Sequence, residues 1–362
     1  MMPSMKRAGF MLAAGLAVAL VHAAGPMRMP GIRAEAPVDK SKIRLYVSLA
    51  ELVGPGDPLA VQDLHFDARE AADALSYIKS GDRSILERLT KSPAAAHLLT
   101  HARNFDYDVP KVSTEALVLE LVKPGDEQAR RVAACEKSLE FFTGSMLDDP
   151  HWVADALRCL PDGFRFKGSL FLTFGYDIGV AFAPNASLNG AHRHFDGHPR
   201  ELLYYAIHEL HHAGFMSFQP PRPLSDFKTC DDLLRFVVYS TQLEGMAVFA
   251  AWDRRIRENA LLDDGDYIAL QDEEGMKKIE KAYFADLEYL KKRSGQAADK
   301  EAWEVPGRMS ADRLWYRVGA RMARRIEREL GLPALLDLIK KGPAEFLDTY
   351  LKLRDRPDSP AR

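Results

Sequence analysis

Five consecutive residues, His208-Glu209-Leu210-His211-His212, follow the pattern H-E-x-x-H inside an apolar stretch. On a helix, His208 and His212 stand at i and i+4, so both imidazoles leave one face a turn apart and can grip a single metal ion. Glu209 stands beside that pair, suited to polarising a metal-held water rather than to ligation. The chemistry open to this grouping is attack of activated water on a carbonyl.

The flanking residues say where the motif sits. Between Glu201 and Arg222, Glu209 is the only acidic or basic residue apart from histidines, and Leu202, Leu203, Tyr204, Tyr205, Ala206, Ile207 and Leu210 describe a helix covered on most sides. A lone carboxylate in such a helix is costly unless something nearby stabilises it, and a metal ion with its water would do so. Asp196-Gly197-His198-Pro199 supplies a helix start, with Pro199 at the first helical position and Glu201 in the first turn. The helix is expected to run to about Gly214, and Pro220-Pro221 bars its continuation.

Two histidines do not complete a catalytic metal site, which normally takes three protein ligands and keeps a fourth position for water or substrate. From Phe236 to Trp252 the chain is apolar or uncharged except at Glu244. Coordination accounts for a carboxylate there; the competing reading is a glutamate on a solvent-facing stripe.

His208, Glu209 and His212, followed 32 positions after His212 by Glu244 in Glu244-Gly245-Met246-Ala247, resemble the gluzincin type of zinc metallopeptidase. The resemblance covers residues 165 to 350. It implies one Zn2+ held by His208, His212 and Glu244, with Glu209 as general base and a peptide or protein as substrate. Trp315-Tyr316-Arg317-Val318-Gly319-Ala320-Arg321-Met322-Ala323 is similar to the Tyr-x-x-Gly helix of several little-characterised zinc-dependent peptidase families. Tyr316 is then the candidate catalytic donor to the oxyanion, although a tyrosine on a long amphipathic helix also reads as a core or rim residue. Arg317 is a second candidate, for holding a substrate carboxylate.

Other residues with chemical potential fit plainer roles. His192, His194 and His198 have H-x-H spacing in part, but no carboxylate or cysteine adjoins them to complete a second metal site, so exposed loop histidines are expected. His211 points off the ligand face and reads as a packing or surface residue. For Cys135, Cys159 and Cys230, a Cys135–Cys159 disulfide with Cys230 left over and three buried thiols both stay open.

The elements that must position these residues begin after residue 24. Lys6-Arg7, the apolar run behind them, and the small residues Ala23 and Ala24 read as a cleaved secretory signal over 1–24, which makes the protein exported, periplasmic or secreted. The run is short for a stable membrane span. A net charge of −3 and a pI near 6.4 give no basic footprint for nucleic acid. Residues 25 to 42 are a Pro-rich lead-in, and the span 25–160 reads as a helical N-terminal region that walls one side of a substrate cleft. Around Gly175-Tyr176-Asp177, the segments Phe164 to Phe174 and Ile178 to Phe182 predict a β-hairpin. Gly179-Val180-Ala181-Phe182 is by position the strand that would pair with an extended substrate; an ordinary sheet strand is the alternative. Long amphipathic helices are expected over 266–292 and 310–331, the second ended by Gly331-Leu332-Pro333, with a disordered tail at 355–362.

The expectation is an α+β, predominantly helical chain. A zincin-like catalytic domain spans 161–354, with a metal helix, a small upstream β-hairpin or sheet, and several long C-terminal helices. Its function reads as that of an exported zinc-dependent peptidase. The alternatives are another zinc-dependent amide or acyl hydrolase, or a non-catalytic zinc-stabilised binding protein. The intact Glu209 argues against the last, because a purely structural site usually closes its fourth position with another Cys or His.

Overall fold

The computed structural model describes residues 44–354. The signal segment, the Pro-rich lead-in and the tail read from the sequence lie outside the described residues. Within them the chain is predominantly helical and carries one five-stranded sheet. No helix among them is long and apolar enough to cross a membrane.

The strands are β1 (Tyr46–Ser48), β2 (Asp63–Asp67), β3 (Lys167–Thr173), β4 (Gly179–Phe182) and β5 (Asn185–Asn189). Their order is β1-β2-β3-β5-β4. The three central strands β2, β3 and β5 run parallel, while β1 and β4 flank them antiparallel. Two expectations change here. The span read as a helical N-terminal region also supplies β1 and β2, whose buried Leu64 and Phe66 lie in register with Gly168 and Leu170. The segments read as one hairpin, β3 and β4, do not pair; β5 lies between them and forms the antiparallel pair with β4. The sequence of β5, Asn-Ala-Ser-Leu-Asn, has no β-branched or aromatic residue, so nothing local marks it as a strand. Burial of Ala186, Ser187 and Leu188 between neighbours fixes it.

The metal-motif helix, Glu201–Phe218, lies against β4 and β5 on one side and the Glu244 helix, Cys230–Arg257, on the other. It runs one turn beyond Gly214. That glycine serves close packing instead of termination, since a Cβ there would stand 2.3 Å from Leu160 Cδ1. The helix stops at Gln219, directly before Pro220-Pro221. A capping box between Thr229 and Asp232 opens the 28-residue Glu244 helix, and Arg254, Arg255 and Arg257 in its last turn complement the helix dipole.

Both long C-terminal helices are divided. The 266–292 stretch becomes Gly265–Gln271 and Glu273–Lys292, separated by Asp272, whose side chain accepts from the Gly275 N–H and starts a new helix. The 310–331 stretch splits into Lys300–Ala311 and the Tyr316 helix, Leu314–Leu330, around Asp312 and Arg313. Arg313 adopts a left-handed backbone, φ +54°, a conformation an arginine rarely takes. The Tyr316 helix ends at Gly331 as expected. Helices Leu332–Lys341 and Pro343–Arg354 complete the described chain.

Candidate metal centre

Helical periodicity places His208 and His212 on one face, and their rings stand 4.5 Å apart at 86°. The Glu244 helix crosses in front of that face. Glu244 Oε2 lies 3.3 Å from His208 Nε2 and 3.0 Å from His212 Nε2. One ligand atom from each residue lies within 4.8 Å of the others. Burial pushes the His208 imidazole down to about 4, so it stands neutral. Burial also pulls His212 down, but the Glu244 carboxylate outweighs it and raises His212 above the ordinary histidine value. Burial alone would raise Glu244; the two imidazoles reverse this and hold it well below the usual carboxylate range. Two imidazole nitrogens and one ionised carboxylate oxygen, converging from two rigid helices, form the donor set that catalytic zinc takes, and the residues present fit that ion.

Glu209 stays outside this trio. Among the described residues its carboxylate forms no hydrogen bond or ion pair, and it lines the same cavity as the three candidate donors. Burial raises it to about 8, with His212 opposing. Strand β4 passes so close that a Cβ on Gly179 would stand 2.6 Å from Glu209 Oε1. Glycine at 179 is therefore what leaves the carboxylate its place.

The Tyr316 helix reaches the centre through a close helix crossing. A Cβ on Gly245 would stand 2.2 Å from the Gly319 carbonyl carbon, and one on Gly319 would stand 2.1 Å from the Thr241 carbonyl oxygen. The residue after Glu244 and the glycine of Tyr-x-x-Gly thus face each other backbone to backbone. This contact brings Tyr316 into the wall of the cavity that holds His208, Glu209, His212 and Glu244. Burial and the nearby Glu244 charge push the Tyr316 phenol far above its ordinary range, so it stays a protonated donor.

The family model described as "Putative zinc dependent peptidase (DUF5700)" matches residues 150–356. The chain belongs to this family. The matched span contains the metal motif, Glu244 and Tyr316. No curated protein and no solved structure matches the chain.

Outside the DUF5700 span, the N-terminal region closes the cavity. His101, at the end of helix Pro93–Asn104, lines it together with Phe105 and Tyr107, so this region does wall the site. Tyr107 donates to Asp177, which also accepts from the Ile178 N–H at 2.8 Å. Burial raises Asp177 to about 6. In the sequence Asp177 reads as a turn residue, and no motif marks His101, Phe105 or Tyr107 as the residues of the N-terminal wall.

Arginine roles also shift. Arg317 donates to Asp266 at 2.9 Å and does not line the cavity. Arg313 does line it, with its guanidinium 3.7 Å from the Tyr316 ring centroid and its Nε 2.7 Å from Asp266. The left-handed backbone at 313 is the structural mark of this placement.

Tertiary structure revises the remaining histidines. His198 is exposed as expected, but His194 is half-buried, with its Nε2 3.3 Å from Glu201 and 3.8 Å from Asp264. Of these two carboxylates, Glu201 follows seven residues on in the chain and Asp264 arrives from a distant segment. Arg255 takes both Glu201 oxygens at 2.8 and 2.6 Å, so the Glu201 carboxylate is already paired. His211 is fully buried and meets the Cys159 carbonyl at 3.1 Å, a packing role. The cysteines are three buried free thiols, and the alternative Cys135–Cys159 bridge is not formed.

Proposed function

We propose that the protein is an exported zinc-dependent peptidase in which His208, His212 and Glu244 hold one Zn2+, Glu209 is the general base and Tyr316 the oxyanion donor. The observation that carries this reading is the convergence of the three donors on a cavity that also holds an unpaired, buried Glu209. Zinc bound there supplies Lewis acidity and lowers the pKa of a coordinated water. Glu209 accepts the proton of the attacking water and delivers it to the departing amine; burial raises its carboxyl to about 8, and the charge of a bound ion would lower it from there into the range of a general base. The Tyr316 hydroxyl donates a hydrogen bond to the oxygen on which charge develops.

The sheet supports a peptide as substrate. Among the described residues strand β4 ends the strand order and its outer edge pairs with no strand, and Ile178 to Ala181 line the cavity beside Glu209. An extended peptide added along that edge places a carbonyl over the metal centre. Another zinc-dependent amide or acyl hydrolase would use the same catalytic parts; the open edge and the family description favour the peptide. A zinc-stabilised binding protein leaves the buried, unpaired Glu209 without a role. Export rests on the Lys6-Arg7 and apolar signal pattern.

The test is elemental mass spectrometry on the purified protein beside a Glu244→Ala variant, followed by a peptide-library digest with Glu209→Gln as control. Near one zinc per chain, lost in the Glu244 variant, and cleavage abolished by Glu209→Gln support the reading. A folded, zinc-supplied protein that retains no zinc overturns it.

A further inference from the structure

An apolar groove of about 460 Å³ opens beside the catalytic cavity of about 130 Å³. The two share three wall residues, Phe105, Phe236 and Tyr239. Beyond them the groove runs between the Pro220-Pro221 turn, the first half of the Glu244 helix and the start of helix Pro343–Arg354. Phe227, Leu234, Val238 and Leu347 make its walls apolar.

Its charges are one-sided. Arg222, Arg235 and Lys291 stand on the lining against a single acid, Asp348. Arg222 and Arg235 share Asp232, at 3.3 and 2.8 Å, and Lys291 forms no ion pair among the described residues. A concavity of this size, apolar with a few placed charges and adjoining a reaction centre, is built as a ligand site.

We infer that this groove is a specificity subsite: it takes a large apolar side chain of the peptide undergoing cleavage and sets the Arg222, Arg235 and Lys291 rim against an acidic residue of that peptide. The inference rests on the zinc-peptidase reading and names the substrate class it favours. Shared walls select the occupant: Phe105, Phe236 and Tyr239 border both the metal cavity and the groove, so the groove is the concavity next to the metal centre on that side. Burial of a phenylalanine side chain there corresponds to about tenfold or more in affinity.

The experiment uses the zinc-loaded Glu209→Gln protein and isothermal titration calorimetry. The probes are acetylated alanine hexapeptides ending in two glutamates, with one phenylalanine walked through the alanine positions. At least one register is expected to bind about tenfold more tightly than the all-alanine parent. Ala344→Trp, a change at an exposed groove position, should erase that gain without altering zinc content. Leu234→Arg should do the same by a different route, and exchange of the glutamates for lysines should weaken the favoured register. The inference is overturned if no register gains, if the gain survives both groove variants, or if the lysine peptides bind equally well. Stoichiometric zinc without a phenylalanine gain strikes this inference alone; absence of zinc overturns it together with the peptidase reading.

Discussion

At the scale of single residues, Glu209 and the ligand trio separate cleanly in their expected behaviour. Glu209→Gln keeps the shape and the three donors, so zinc content should hold while turnover falls by roughly 10²–10⁴-fold, read as kcat on any cleaved peptide. Glu244→Ala removes a donor and also the charge that offsets two buried imidazoles, so zinc itself should be lost. Zinc affinity should depend on pH through His212. Its proton is held more tightly than that of an ordinary histidine because of Glu244, and zinc must displace it. Affinity should therefore fall as pH drops, by about tenfold per unit below the His212 value. His208, already neutral down to about 4, adds no such term above that pH. Competition with a chromophoric chelator across pH measures this; a flat profile would contradict the pairing.

At the scale of elements, three glycines decide whether the residues meet. Gly245 and Gly319 let the Glu244 and Tyr316 helices approach until a methyl group on either would overlap the other's backbone. Gly245→Ala should force them apart, cost about 1–3 kcal/mol in chemical denaturation, and withdraw Tyr316 from the cavity. Gly179→Ala is different in kind, because the atom it meets is the end of the flexible Glu209 side chain. Fold and zinc content should survive, while kcat falls at least about tenfold as the base is displaced. A Gly179→Ala protein with full activity would remove β4 from the account of how Glu209 is placed.

At the scale of the whole molecule, a buried carboxyl in helix Arg69–Ser80, packed at the end of β3, carries its own titration. Glu70 is buried, accepts from the Phe174 N–H at 2.8 Å, and is raised by burial from 4.5 to about 7. The folded value lies above the unfolded one, so the fold favours the protonated form. Its stabilising contribution is complete below about 4.5 and is lost as pH rises through about 7. Glu70→Gln keeps an acceptor for Phe174 without the charge. It should raise thermal stability above that range, by up to ~3 kcal/mol, and leave acid stability unchanged in scanning calorimetry.

Determined by the sequence alone were the residues whose meaning lies in spacing along one helix or in a charge out of place. The His208 and His212 pair, Glu209 and the isolated Glu244 are of this kind, because helical periodicity and the cost of a buried charge act locally, whereas the Tyr-x-x-Gly helix was legible only by resemblance. Left to the tertiary structure was every pairing between distant segments. The central strand β5 has no strand-forming residue and exists by burial; Asp264 reaches His194 from a distant segment; His101, Phe105, Tyr107 and Arg313 join the site from segments without a motif. Gly245 and Gly319 were visible as glycines, but only the crossing of two helices gives them their purpose. Spacing states which groups one helix can present, whereas packing between helices and sheet selects which of them share a cavity.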